Sequence, residues 1–192
     1  WENNASNAGR DPPRNQNDGY LSESDAPGAA VLAVLDAAAR HDAAALVTVP
    51  MLGHVARDKR ADGDVRRSPD PLQTRFVRSS ARCPAGTPVD PTDDVVCQDA
   101  FVRFVRRAAA ARGVTLLFAL GNEPASWPTT HPVVRGPRPV GYGELLARSL
   151  EHAAMIAELA PDAPILGPAV FGWPALRDLL DAPDGRGRPF LD

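Results

Sequence analysis

The 192 residues are enough for one domain with a sizeable buried core, and 44% hydrophobic with 23% charged residues is typical of a soluble globular protein. The net charge is −3 and the arginines are scattered, so the chain lacks the basic stripe of a nucleic-acid-binding protein. No apolar run approaches the roughly 18 residues that a membrane-spanning helix needs. We therefore expect neither nucleic acid nor a membrane among the partners.

The first predicted helix follows a long structured loop over residues 1–25, which lack any sustained hydrophobic period. Ser24 or Asp25 can cap the helix, and Pro27 suits its first turn. Apolar residues at helical spacing then define its inner face: Val31, Leu32, Leu35 and Ala39.

The first predicted strand is the apolar, β-branched run over residues 44–52, which we expect to be buried. Residues 54–96 are polar and predict a long loop. A second helix is predicted over 98–112, where Gly113 can end it. Its inner face is expected to contain Phe101, Phe104, Val105, Ala108 and Ala109.

Two more strands and two more helices complete the predicted order. The strands cover residues 114–120 and 163–170, and the last helix begins near Pro174. Between the strands, a helix is predicted from Tyr142 to Leu159. Its inner side is expected to carry Leu146, Leu150, Ala153 and Ile156.

This alternation of helices and apolar strands predicts a parallel sheet with helical cover. A doubly wound sheet has the same order, but no strand is followed by a G-x-G-x-x-G loop, which favours a (β/α)8 barrel. A complete barrel needs roughly 250 residues. We therefore expect residues 1–192 to form part of a single barrel domain.

The clearest chemical signal is "FALGNEPASW", residues 118–127. Glu123 follows an apolar strand, where a barrel has its active site. Pro124 ends the strand, Asn122 can hold a substrate hydroxyl, and Trp127 offers a flat face for a pyranose ring. Glycoside hydrolysis uses a carboxyl of raised pKa and a second carboxylate. The alternative is that Glu123 is an ordinary exposed glutamate in a turn.

The two cysteines, Cys83 and Cys97, flank a loop rich in proline and aspartate. A disulfide is the favoured interpretation, with two free thiols as the alternative, and it predicts an oxidising compartment outside the cytoplasm. In the same loop, the "DPTDD" segment of residues 90–94 is a weak candidate for structural calcium, with a solvated loop as the favoured alternative.

Six segments taken together resemble glycoside hydrolase family 44: "WENNASNAG", "LVTVPMLG", "CQDAFVRFV", "ALGNEPASWPTTHP", "YGELLARSLEHAAMI" and "ILGPAVFGW". The resemblance runs in order over nearly the whole chain and fades in residues 56–96. Enzymes of this family are endo-β-1,4-glucanases, several of which also cleave xyloglucan.

The resemblance implies a (β/α)8 barrel and retaining hydrolysis, with Glu123 as general acid/base and Asn122 beside the 2-OH of the reacting sugar. The family's nucleophile is a second glutamate on a later strand, and its first strand lies upstream. Both are expected outside this chain, which is interpreted as an internal part of the catalytic domain. Gly121 departs from the aspartate that we expect in many relatives.

Further candidates for sugar contact lie near these segments. Trp173 follows the third predicted strand, with core packing as the favoured alternative, and His131 in "TTHP" can line the cleft. His41 and His152 are interpreted as surface or packing residues, and His54 stays undecided. Trp1, Asn4 and Asn7 match the family's opening loop, although the asparagines can equally cap turns.

We therefore predict a secreted, bacterial, monomeric retaining hydrolase of β-1,4-glucans such as cellulose or xyloglucan, with no organic cofactor. The alternative is a non-catalytic carbohydrate-binding remnant of such a barrel. A related retaining hydrolase with the same Asn-Glu-Pro motif would differ in its substrate alone.

Overall fold

The computed structural model describes residue 24 and residues 26–58, 63–84 and 95–191. The strands are β1 (Ala45–Val49), β2 (His54–Ala56), β3 (Phe76–Ser80), β4 (Val95–Cys97), β5 (Leu116–Leu120) and β6 (Ile165–Leu166). The helices are α1 (Ala29–Arg40), α2 (Pro71–Thr74), α3 (Gln98–Ala110), α4 (Trp127–Thr130), α5 (Pro132–Arg135), α6 (Tyr142–Leu159) and α7 (Gly172–Asp178).

The central sheet has the strand order β1-β5-β6, and all its strands are parallel. Val47 lies opposite Phe118, which in turn lies opposite Ile165, so these side chains share one face of the sheet. Helices α1, α3 and α6 pack on that face. The resulting core includes Val31, Val49, Phe101, Val105, Leu120, Met155 and Ile156.

The opposite face of the central sheet is largely bare in the described structure. Leu46 is 55% exposed and Leu166 is 44% exposed, and Thr48 beside them is also exposed. A doubly wound sheet carries helices on both faces, whereas a barrel carries them only on the outer face. One-sided cover is thus the arrangement of a partial barrel, and the sheet stays open.

A second sheet corrects the prediction of one long loop over residues 54–96. Strands β2 and β3 pair antiparallel, with His54 opposite Arg78, and β4 pairs parallel with β3. Val55 and Phe76 are buried. The prediction failed because β2 and β3 each hold only two apolar residues in succession, Val55–Ala56 and Phe76–Val77, which is too short a run to indicate a strand.

The predicted ends of the regular elements need smaller corrections. The strand predicted over 44–52 ends at Val49, and the strand predicted over 163–170 is reduced to Ile165–Leu166. Strand β5 begins at Leu116 rather than at residue 114, and α3 ends at Ala110 rather than at residue 112. Tertiary pairing sets these ends, since a strand residue without a neighbour forms no ladder.

Helix α6 has the predicted bounds, and of its predicted inner face Ile156 is buried and Ala153 is partly buried, but the prediction is wrong for Leu146 and Leu150. Leu146 and Leu150 are 59% and 60% exposed. The buried residues of this helix are Leu145, His152, Met155, Ile156 and Leu159. In α1, similarly, Ala38 is buried and Ala39 is exposed.

Cys83 and Cys97 form a disulfide bond with Cα atoms 5.3 Å apart. The bond ties the end of β4, where α3 begins, to the segment that follows β3. The carboxylate of Asp99 in the first turn of α3 accepts a hydrogen bond from the backbone N–H of Cys83 at 3.3 Å. Among the described residues, no helix is both long and apolar enough to cross a membrane.

Candidate active site

Glu123 lies just past the carboxyl end of β5, and its backbone is held on both sides. Its N–H donates to the carbonyl of Ala169, in the segment that follows β6, at 2.8 Å. Its own carbonyl accepts from the N–H of Ser126 at 2.9 Å, closing the 3-10 turn Pro124–Ser126. The two neighbouring strands therefore jointly position this residue.

The backbone of Glu123 is in the left-handed region, with φ 44° and ψ 55°. For a residue with a side chain this conformation costs about 1–3 kcal/mol and persists only where the surroundings impose it. Such residues cluster at functional sites. A half-buried glutamate held in this way is unlike the ordinary exposed turn glutamate that was the alternative.

Gly121 provides the turn that leads to Glu123. Its N–H donates to the carbonyl of Val49 at 3.0 Å, which continues the pairing of β5 with β1. Its φ is +61°, and a Cβ atom here would lie 3.1 Å from Cε of Met51. An aspartate at position 121 would have to adopt left-handed backbone and displace the Met51 side chain.

Trp127 is not an accessible platform for sugar, which corrects the sequence prediction. It is only 2% exposed and belongs to the hydrophobic core. The indole N–H donates to the backbone carbonyl of Asn122 at 3.0 Å, and the guanidinium of Arg148 lies 6.0 Å from the ring centre. Neighbouring side chains thus cover the faces of the ring, and Trp127 supports the Glu123 turn through its hydrogen bond to Asn122.

The side chain of Asn122 is exposed, and it forms no hydrogen bond within the described parts of the chain. Its backbone carbonyl is occupied by Trp127, so the loop is anchored through the main chain. The amide group beside Glu123 is consequently available to a ligand.

His131 is mostly buried, and burial lowers its pKa to about 4. The hydroxyl of Thr130 donates to the carbonyl of Ser126 at 2.9 Å and lies 2.7 Å from Nδ1 of His131. A hydroxyl has one hydrogen, so Nδ1 is the donor in the second contact and Nε2 is left as the acceptor. His131 is therefore a neutral imidazole near pH 7.

Trp173 corrects the favoured expectation of core packing, since 77% of its surface is exposed. It lies at the start of α7, four residues after the Ala169 that binds Glu123. Phe171 nearby is 52% exposed. Two accessible aromatic rings thus follow the end of β6, where the sequence had marked only one.

The three glutamates of α6 lie in the helical layer, and two of them are engaged in ion pairs. Glu144 binds Arg135 at 2.7 Å and Arg148 at 3.3 Å, and Glu158 binds Arg82 at 2.6 Å. Several other predicted sites fall outside the described residues: Trp1, Asn4, Asn7 and the calcium candidate at 90–94.

Arg148 is the site residue that sequence reasoning missed. It contacts Trp127, donates to the carbonyl of Met51 at 2.8 Å and pairs with Glu144. The i,i+4 spacing of Glu144 and Arg148 on a predicted helix was a usable signal for the pair. Its contact with the Glu123 turn depends on tertiary packing and has no local signal.

Comparison with known proteins places these features in context. The model of glycoside hydrolase family 44 matches residues 1–192. The chain is similar to endoglucanase A of Paenibacillus lautus, with 33% identity over 195 residues, which cover 95% of this chain and 27% of that protein.

Solved structures are similar as well. The Paenibacillus polymyxa xyloglucanase of the same family superposes with a TM-score of 0.78 and 30% identity, over 96% of this chain and 39% of that one. The structure of that xyloglucanase with xyloglucan gives a TM-score of 0.72 and 30% identity, over 86% of this chain and 34% of that one. The predicted partial barrel is thereby confirmed, and the chain spans about a third of the length of these solved relatives.

Proposed function

The chain belongs to glycoside hydrolase family 44, and on that basis we propose that it is the part of a retaining β-1,4-glucan hydrolase that carries the general acid/base, Glu123. The observation that carries the proposal is the backbone of Glu123. A left-handed glutamate at the carboxyl end of a barrel strand, hydrogen-bonded to the segment after the next strand, is placed where barrel enzymes have their catalytic groups.

The proposed reaction has two steps. Glu123 protonates the glycosidic oxygen while a carboxylate nucleophile attacks the anomeric carbon, so the sugar–oxygen bond breaks and a glycosyl-enzyme forms. Glu123, now ionised, takes a proton from water as the water attacks the same carbon and releases the nucleophile. We assign the nucleophile to a glutamate outside residues 1–192, as the resemblance to the family implies. Among the described residues, the other glutamates are those of α6, which lie in the helical layer.

Other residues are assigned to binding and positioning. The exposed amide of Asn122 is proposed to bind the 2-OH of the reacting sugar, and Trp173 with Phe171 is proposed to stack on rings of the bound glucan. Trp127 is proposed to position Glu123 through its hydrogen bond to Asn122. His131 is proposed to line the cleft as a neutral hydrogen-bonding group, and Trp1, Asn4 and Asn7 remain proposed contacts.

The proposed substrates are cellulose-like and xyloglucan-like polysaccharides. Support comes from the relatives, which include an endoglucanase and a xyloglucanase whose structure was solved with xyloglucan. We further propose a secreted, bacterial and monomeric protein without an organic cofactor. The disulfide bond is consistent with an oxidising compartment.

The test compares the full-length gene product with its Glu123→Gln variant on carboxymethyl-cellulose and xyloglucan. Loss of the general acid/base is expected to lower kcat by about 100-fold or more. Glu158→Gln is the matched control, since that glutamate is on the surface and pairs with Arg82. In an aryl glycoside whose phenol is acidic, the phenolate leaves without being protonated. The rate of the first step on such a substrate should therefore be preserved in Glu123→Gln.

Hydrolysis of both polysaccharides at the unaltered rate by Glu123→Gln would remove the assignment. If the full-length product is inert on every β-glucan but still binds them, a non-catalytic carbohydrate-binding remnant becomes the better account.

A further inference from the structure

A pocket of ≈ 370 Å³ opens between the β2–β3 strands and helices α5 and α6. We call it the hairpin pocket. Its lining includes His54 of β2, Arg78 and Ser79 of β3, and Arg148 and His152 of α6. Glu123 and Trp173 are not among the lining residues, although Arg148, which packs against Trp127, is one of them. Its size is within the range of small-molecule sites.

The hairpin pocket carries a surplus of guanidinium groups. Arg135 and Arg148 share one carboxylate, Glu144. Arg78 is exposed and forms no ion pair with any residue that the structure describes. The pKa of His54 is lowered first by burial, then by the charge of Arg78 and then by that of Arg148. The free carboxylate on the lining is Glu151, which is exposed.

The pocket also offers hydrogen-bond acceptors. His152 is only 5% exposed, and its Nδ1 lies 2.8 Å from the backbone carbonyl of Arg148. A carbonyl only accepts, so Nδ1 carries the hydrogen and Nε2 keeps its lone pair. Burial lowers the pKa of His152, which keeps the ring neutral near pH 7. Ser79, the next residue on β3 after Arg78, accepts a hydrogen bond from the buried side chain of Gln98 at 2.9 Å.

No phenylalanine, tyrosine or tryptophan lines the pocket. A neutral sugar here would lack an aromatic face to stack on and would depend mainly on hydrogen bonds, which compete with water for little net gain. A charged group paired with a guanidinium gains more, because charge-assisted hydrogen bonds are roughly twice as strong as neutral ones. The lining therefore favours an anion that also carries hydroxyl groups.

We propose that the hairpin pocket binds a small hydroxylated carboxylate of hexuronate size. Arg78 takes the carboxylate, and Nε2 of His152 accepts a hydrogen bond from a hydroxyl group of the ligand. The ligand can be a free sugar acid or a uronic acid unit on a polysaccharide, since both present the same groups. The site does not depend on the role of Glu123.

The test is calorimetric titration of the full-length gene product at pH 7 with glucuronate, glucose, acetate and inorganic phosphate. Glucuronate is expected to bind more tightly than the other three. Arg78→Gln should weaken it about 10-fold or more, the scale of a lost hydrogen bond to a charged group. Glu151→Gln should strengthen it by about 2- to 5-fold, because a nearby negative charge is removed.

Arg103→Gln is the matched control, because Arg103 is an exposed arginine of α3 outside the pocket lining. Methyl glucuronide distinguishes a free sugar acid from a uronic acid unit on a polysaccharide. If the natural ligand is a polysaccharide unit, methyl glucuronide should bind as tightly as free glucuronate. The proposal would be overturned if glucuronate does not bind, or if glucose, phosphate or acetate binds as tightly as glucuronate. Unchanged glucuronate affinity in Arg78→Gln would also overturn it.

Discussion

At the scale of the residue, Trp127 and Trp173 have the same side chain in opposite environments. Trp127 is enclosed beneath the Glu123 turn, whereas Trp173 is exposed beyond β6. Trp127→Ala removes a buried ring and should lower the free energy of unfolding by about 3–5 kcal/mol. Trp173→Ala should change it by no more than about 0.5 kcal/mol. Denaturant unfolding of both variants measures the difference.

Binding of xyloglucan oligosaccharides by the same two variants separates packing from sugar contact. We expect weaker binding in Trp173→Ala, with stability preserved. A stable Trp127→Ala variant would contradict the enclosed position of this ring.

His131 makes the stability of the protein depend on pH. Its pKa is about 4 in the folded protein, because the ring is buried, against 6.5 for an exposed histidine. As pH falls from 6.5 to 4, the unfolded chain gains a proton that the folded protein does not bind. Stability should therefore fall through this window by up to about 3 kcal/mol.

Unfolding of wild type and His131→Gln between pH 4 and 7 measures this contribution as the difference in slope. His54 and His152 shift in the same direction and contribute equally to both proteins. His41→Gln, at the exposed end of α1, is the control. Parallel curves for wild type and His131→Gln would contradict the burial of this imidazole.

Helix α6 illustrates, at the scale of the element, how a distant residue determines where a helix begins. The Asp184 carboxylate accepts hydrogen bonds from the N–H groups of Tyr142 at 2.7 Å and Gly143 at 2.8 Å. At Gly141 a Cβ atom would lie 2.8 Å from this carboxylate, so the cap needs glycine there. Two of the free N–H groups of the first turn are thereby satisfied.

Asp184→Ala should lower the Tm by roughly 2–5 °C at pH 7, as expected for losing a helix N-cap in a domain of this size. The bonds from Gly143 and Tyr142 lower the pKa of Asp184. Its stabilisation is therefore fully present above the ordinary value of 3.8 and is lost as pH falls through the lowered pKa. Asp162→Ala, on the exposed turn after α6, is the control.

At the scale of the whole molecule, the central sheet is covered by helices on one face only, and its bare face exposes apolar side chains. Leu46 is 55% exposed on the bare face, and Leu146 is 59% exposed on α6. If the bare face is the interior of a barrel, Leu46→Ala in the full-length gene product should cost about 2–5 kcal/mol, as for a buried leucine. Leu146→Ala should cost no more than about 0.5 kcal/mol.

Chemical denaturation of the two leucine variants provides the measurement. Near-neutral effects of both substitutions would mean that no further strands cover the bare face, and the interpretation of that face as a barrel interior would fail.

Local chemistry alone determined the order of the longer elements and the place of Glu123 after one of them. Apolar runs of five or more residues, helical periodicity and the Asn-Glu-Pro sequence are properties of neighbouring residues, so they are visible without a fold. The segments of β1, β5, α3 and α6 were found in this way, and α6 had the predicted bounds. The strands β2 and β3 were missed because each holds only two apolar residues in succession.

Tertiary structure alone decided which side chains are covered. Leu145 and Leu146 are adjacent leucines on one helix, yet only Leu145 is buried, because β5 and the neighbouring helices lie on its side. The sequence marked Trp127 and Trp173 as candidate sugar platforms, and packing left only Trp173 accessible. Burial depends on residues far apart in the chain, and no local pattern records which of them meet.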